Sequence, residues 1–520
     1  MLFSTSCLDD LDVTPLDKNT VTSDDAYNTA DGYIGGLMKL YSVWAISGQS
    51  GASSSDISGL DAGNSQLLRS WWTLQSVTTD ENKVAWPNAW VKEINTMTWT
   101  TTQCEPIEGA YQWCMYIVAL SNEYLKRTTN IPAEFGLNQE QIRAEARFCR
   151  ALAYYTLLDQ FGNPPFITEN NYSLTPTQIG RTALFDWIVS ELTEIESSLP
   201  AARQGEYGRA DQGVVNALLA RMYLNAEVYT GTSKYTECIT ACKKVIAGGY
   251  TLTTDYSNLF KADNNTVAKS EIIFPICYDG AATQTWGGMT AIICGSRGVD
   301  EVDRNVDGVT SGWDGYRSTQ NLVNLFEFTN PSTPTAATIK DKRGIFKDTG
   351  RSIDILTTYL LTFTSEGWAV YKFKNIKSDG TWGSEEIFPD TDFPMFRLAD
   401  VYLMYAEAVL RGGQGGDKST ALGYVNDLRR RGYGDTSGDI LSSQLTTDFI
   451  LDERERELYW EGTRRTDLIR YGKYTSSTYK WPFKGGVLEG VGVDASRNIF
   501  PIPLTDLSSN GKLVQNEGYN

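Results

Sequence analysis

The side chains in this sequence best suited to chemistry are its tryptophans. The chain has 520 residues, of which 14 are Trp, 28 Tyr and 19 Phe, so 12% are aromatic. Several tryptophans sit among polar residues rather than in apolar stripes. One stretch supplies Arg69, Trp71, Trp72, Trp86, Asn88, Trp90 and Trp99, and a distant one supplies Trp286, Arg297, Trp313 and Tyr316. An indole face is flat and apolar and accepts the C–H face of a pyranose, while neighbouring amide, guanidinium or carboxylate groups take the hydroxyls. This combination points to non-covalent recognition of a sugar chain.

Other chemistries are excluded or weakly supported. Histidine is absent, which removes His-based triads, imidazole zinc sites and histidine pH switches. The 64 acidic residues outnumber the 46 basic ones, giving a net charge of −18, which disfavours nucleic acid and anionic lipid surfaces as partners. Paired carboxylates hydrolyse glycosides without histidine, and Asp452, Glu453, Glu455, Glu457 and Glu461 are the densest set. They alternate with Arg454, Arg456, Arg464 and Arg465 on a predicted helix, with Asp452 and Arg456 an i,i+4 pair. That pattern reads as a solvated or helix-bridging ion network. No Walker loop, dinucleotide fingerprint or nucleophile elbow occurs, so no catalysis is expected. Asp303–Gly308 matches the first half of an EF-hand loop, with Asp314 at the twelfth position, but no helix pattern precedes it and it reads as an acidic turn. Setting Cys7 aside, seven cysteines without a CxxC pair argue against metal–thiolate chemistry. Cys238 and Cys242 share a predicted helix face as buried thiols, and Cys277 and Cys294 could meet across a hairpin, although nothing in the sequence requires it.

The elements that must position these residues are mostly helical. Leu398, Val401, Tyr402, Tyr405, Ala406 and Val409 form one apolar stripe of helical period, closed by Gly412 and Gly413. A second helix follows Asp417, and residues 214–229 and 235–246 repeat the pairing. These pairs look like tetratricopeptide repeats whose regular period has been broken by insertions. Helices are predicted near 20–40, 103–128, 138–161, 181–198, 211–247 and 394–471. Residues 47–102 and 251–392 lie outside the helical pattern, the second with strand-like runs EIIFPICY, MTAIICG and WAVYKFK. Binding residues concentrate on such loops, so the function is sought in these two insertions.

Three segments in order, QIRAEARFCRALAYYTLLDQFGNPPF (141–166), ILDERERELYWEGTRRTDLIRY (450–471) and FPIPLTDLSSNGKLVQNEGY (500–519), resemble the RagB/SusD family of outer-membrane glycan-binding lipoproteins. The resemblance implies a mostly α fold, a tetratricopeptide-like superhelix with a loop-rich, partly β inserted binding region. It divides the chain into 1–46 (lipoprotein segment and first helix), 47–102 (loop with binding aromatics), 103–250 (helical repeats), 251–392 (loop/β insertion with further aromatics) and 393–520 (helical repeats and tail). By resemblance, Trp86, Trp286 and Trp313 occupy stacking positions, Asn88 a hydroxyl-binding position and Arg69 a polar contact; Tyr316 completes the expected ligand set. Asp263, Asp390 and Asp392 fall in segments resembling those that supply calcium ligands. Small residues before Cys7 and acidic ones after it resemble a lipidation site. The implied activity is capture of a glucan at the cell surface and its delivery to a SusC-like TonB-dependent transporter, with membrane attachment through a lipid anchor alone. Three tryptophans suggest a flat platform and slightly favour a β-glucan or xyloglucan, the alternative being starch and, from another class, a glycoside hydrolase.

Overall fold

The computed structural model describes residues 26–357 and 365–519. Cys7 lies outside them, as does the start of the helix expected from residue 20. The longer helices are α1 (Ala30–Ser42), α2 (Leu67–Ser76), α3 (Ala89–Thr96), α4 (Glu105–Arg127), α5 (Gln139–Phe161), α6 (Arg181–Ile195), α7 (Gln212–Leu224), α8 (Tyr235–Ala247), α9 (Gly288–Gly295), α10 (Leu398–Leu410), α11 (Lys418–Tyr433), α12 (Thr447–Leu458) and α13 (Arg464–Arg470). Local chemistry accounts for their ends. Helix α4 opens with a proline and Glu105 and Glu108 and closes with Lys126 and Arg127, charges that oppose its dipole. Asn138 caps α5 through the Gln141 N–H, and Gly162, at φ 74°, ends it before the Pro-Pro pair.

These helices pack in series: α4 on α5, α5 on α6, α7 on α8, α8 on α10 and α10 on α11. The mostly helical, tetratricopeptide-like frame expected from the periodicity is what the chain adopts. Strands are few and short. Antiparallel pairs join β1 (Asn82–Val84) to β3 (Tyr316–Ser318), β2 (Ile272–Ile276) to β6 (Phe393–Arg397), and β4 (Phe346–Lys347) to β5 (Ala369–Val370).

The insertions differ from expectation in two places. Residues 47–102 contain α2 and α3; every residue of α2 is buried, and its Leu67, Leu68, Trp71, Trp72 and Leu74 recur at helical spacing. MTAIICG, expected as strand, is α9, packed on α2. A short run of buried apolar residues does not distinguish the two states by pattern.

The charged helix α12 is a buried strut. Arg397, at the end of β6, donates to Glu271, Glu457 and Glu461 at 3.0, 2.5 and 2.6 Å. Arg343 donates to Asp341, Glu453 and Glu457 at 2.6, 2.8 and 2.9 Å, and Lys372 reaches Glu461 at 2.7 Å. Arg456 turns to Glu453 at 2.8 Å, its i,i−3 neighbour, rather than to Asp452. Burial alone would raise the Glu453 pKa, but the guanidiniums of Arg343, Arg456 and Arg429 outweigh it and hold it at about 2.

Among the described residues all seven cysteines are free thiols. Cys238 and Cys242 are buried in α8 as expected, whereas Cys277 and Cys294 do not form a disulfide.

Candidate functional site

The two insertions meet at one groove of about 470 Å³ lined by Arg69, Trp86, Asn88, Trp286 and Trp313, together with Ser53, Asp61 and Asn64. Trp86 follows β1 and Trp313 precedes β3, so the β1–β3 pairing brings the insertions together, with Val84 opposite Tyr316. Ala85 N–H donates to the Gly315 carbonyl at 2.9 Å, and the Trp313 and Gly315 N–H groups donate to the Cys294 and Gly295 carbonyls at the end of α9, both at 2.9 Å. Trp286 stands just before α9, whose start is tied to α2: the Gln66 side chain accepts from both Arg69 N and Gly288 N at 2.9 Å. A helix, a strand pair and one glutamine therefore position all three indoles.

The rings form a staggered row. Trp86 and Trp313 are 6.3 Å apart with planes inclined by 54°, and Trp313 and Trp286 are 6.4 Å apart at 47°. Every indole N–H is already engaged: Trp86 with the Trp313 carbonyl at 2.6 Å, Trp313 with Ser311 Oγ at 2.9 Å, and Trp286 with Ser53 Oγ at 3.2 Å. The rings thus offer faces rather than donors. Trp286 is 38% exposed, while Trp86 and Trp313 are half-buried. Arg69 lies over the Trp86 ring at 5.2 Å and reaches the Trp286 carbonyl at 3.4 Å. Its Nε is buried without a hydrogen-bond partner. The arrangement suits a neutral, polyhydroxylated ligand with repeated apolar faces.

Several candidates are placed elsewhere. Tyr316 is fully buried, edge-on to Trp72 at 4.8 Å and to Trp460 at 5.9 Å, and it supports Trp86 from beneath at 4.8 Å instead of facing the groove. Trp71, Trp72, Trp90 and Trp99 are core residues. Arg297 is buried and paired with Asp307 at 3.0 Å, and the EF-like segment contains a single helical turn capped by Asp303. The residues that sequence reasoning missed are Ser53, Asp61 and Asn64, short polar side chains in a loop without aromatic or periodic signal.

The carboxylates resembling calcium ligands each accept hydrogen bonds from neighbouring protein groups. Asp263 accepts from the backbone and hydroxyl of Ser378 at 2.9 and 2.6 Å. Asp390 accepts from Gly280 N and Ser384 N at 2.8 and 2.6 Å. Asp392 accepts from Tyr278 N and the Tyr207 hydroxyl at 2.7 and 2.9 Å, and burial pushes its pKa up to about 7. Among the described residues no group of three or more Asp, Glu or Cys side chains is arranged to hold a metal ion. No helix among them is long and apolar enough to cross a membrane.

Comparison with known proteins agrees with this architecture. Residues 356–519 match the model described as SusD family, and residues 60–224 match one described as starch-binding associating with outer membrane. The chain is 36% identical over 557 residues to the starch-binding protein SusD of Bacteroides thetaiotaomicron, covering 99% of this chain and 96% of that protein. A SusD superfamily protein from Parabacteroides distasonis superposes with a TM-score of 0.72 at 22% identity, over 96% of this chain and 100% of the other. Surface glycan-binding protein A from Bacteroides thetaiotaomicron, in complex with laminarihexaose, superposes with a TM-score of 0.69 at 19% identity, over 94% and 100% of the two chains.

Proposed function

The chain belongs to the SusD family of non-catalytic glycan-binding proteins associated with the outer membrane, and on that premise we propose that it captures a starch-type α-glucan at the cell surface. The observation that carries this choice is the inclination of 54° and 47° between successive indoles. Three tryptophans were expected to make a flat platform for an extended β-glucan or xyloglucan; inclined rings instead follow a chain whose successive sugars turn, as in an α-glucan helix. The 36% identity to a starch-binding protein supports the same choice. Attachment through lipidated Cys7 and delivery to a SusC-like TonB-dependent transporter complete the proposal. It involves no hydrolysis, because the densest carboxylates are locked in buried ion pairs with arginine.

Affinity electrophoresis through gels holding one polysaccharide each tests the choice. Retardation by starch and free migration through laminarin and xyloglucan is expected. Retardation by laminarin or xyloglucan alone would transfer the assignment to a β-glucan.

A second expected result concerns Gly315. A Cβ at this position would overlap the Trp86 indole, yet Gly315 has no positive φ, so glycine is needed for the ring and not for the turn. Gly315→Ala is expected to push Trp86 out of its inclination and weaken starch binding roughly tenfold, about 1.4 kcal/mol. Titration calorimetry beside circular dichroism would show lost affinity without lost helix; unchanged affinity would mean that the ring's tilt is irrelevant.

A further inference from the structure

We infer that a second groove, contiguous with the tryptophan groove, holds the continuation of a long glucan chain; this rests on the reading of the protein as an α-glucan binder. The second groove is larger, about 620 Å³ against about 470 Å³. One loop walls both: residues 57–60 line the second groove, and Asp61–Asn64 line the first. A chain crossing that loop leaves one groove and enters the other.

Helix α4 supplies a continuous track along the same course. Glu105, in its first turn, stands beside Asp61, Arg69 and Asn64 of the tryptophan groove. Glu108, Gln112, Met115 and Tyr116 line the second groove, and positions three, seven and ten or eleven beyond Glu105 share its helical face. From Glu105 to Tyr116 the helix rises roughly 16 Å, so the second groove adds substantial length to the site.

Its chemistry suits a sugar chain. Leu60, Met115 and the Tyr116 ring are apolar, while Gln103, Gln112 and Asp506 provide amide and carboxyl groups. The buried Tyr111 hydroxyl faces the Asp506 carboxyl at the floor of the groove. Burial raises the pKa of both Glu108 and Asp506.

The test compares a short ligand with a long one. Maltohexaose and amylopectin are titrated into the parent protein, into a Gln112→Ala/Tyr116→Ala variant, and into Ser509→Arg, which lays a long side chain across the exposed rim. Both variants are expected to keep parent affinity for maltohexaose and to bind amylopectin roughly threefold to tenfold more weakly, the scale of one aromatic contact. Parent affinity for amylopectin in folded Ser509→Arg and in the double variant would overturn the second groove and leave the α-glucan reading intact. Equal losses for both ligands would overturn it as a separate site. A parent protein that binds neither ligand would overturn the α-glucan reading and this inference together.

Discussion

Trp286→Ala is expected to weaken glucan binding at least tenfold, about 1.4 kcal/mol or more, while leaving the fold unchanged. Trp286 is the cleanest of the three rings to remove. It is the most exposed of them, and its packing partners are Trp313 at 6.4 Å and Phe388 at 5.1 Å. The indole N–H donates to Ser53 Oγ. Trp86→Ala is a harsher change, because that ring also rests on Tyr316 and its loss leaves a cavity in the support. Combining alanine at 86, 286 and 313 is expected to abolish retardation in starch gels, since each stacking contact is modest and affinity comes from several acting on one chain. Full retention by the Trp286→Ala protein would remove the groove as the binding site. Circular dichroism and thermal melting on the same samples separate lost binding from lost folding.

Arg397→Met is expected to prevent stable folding. Arg397 faces Glu271, Glu457 and Glu461 within a fully buried cluster. Removing it leaves carboxylates without their charge partner, a change that costs about 3–5 kcal/mol or more, a large share of a typical domain's total stability. The same cluster sets the acid limit. Burial would raise the Glu457 pKa, yet Arg431, Arg397 and Arg343 hold it far below the ordinary value, and Glu453 is held at about 2 against an ordinary 4.5. For such depressed groups the folded state releases protons more readily than the unfolded one. Their stabilisation is complete above about pH 4.5 and is lost as pH falls toward 2. Acid unfolding followed by tryptophan fluorescence should occupy that window in the parent. A soluble, cooperatively melting Arg397→Met protein would show that apolar packing carries the region without the ion pairs.

Legibility from the sequence followed the range of the interactions. Helix α10 was readable because an apolar helical period runs through its thirteen residues, a length beyond an ordinary strand, although none of them is exposed. Helix α2 was passed over although Leu67, Leu68, Trp71, Trp72 and Leu74 recur at helical spacing, because those ten residues follow a long Gly- and Ser-rich stretch and fill little more than two turns. Trp86, Trp286 and Trp313 stood out by lying next to Pro, Gly and Asp, whereas Trp71 and Trp72, at equal density, turned out to be core once α2 packed on α4 and α9. Tyr316 was misplaced for a similar reason. Its neighbour Trp460 is 144 positions away, and nothing local reveals that contact. The ion network of α12 was expected as a solvated or helix-bridging one, but its partners Arg343, Lys372 and Arg397 come from distant segments.

The groove's support has a consequence for when the protein becomes competent. Every stacking ring is present once residue 313 has been made, yet the floor beneath those rings closes only at the far end of the chain. The Trp72 indole donates to the Trp460 carbonyl at 2.9 Å, Glu81 accepts from the Trp460 N–H, and Arg464 pairs with Asp80 at 2.7 Å. A polypeptide emerging from its N-terminus carries its complete set of sugar-facing residues long before it carries their keystone. Ligand binding therefore reports that the last helices have arrived, and a chain truncated before residue 460 is expected to hold the right residues and no site.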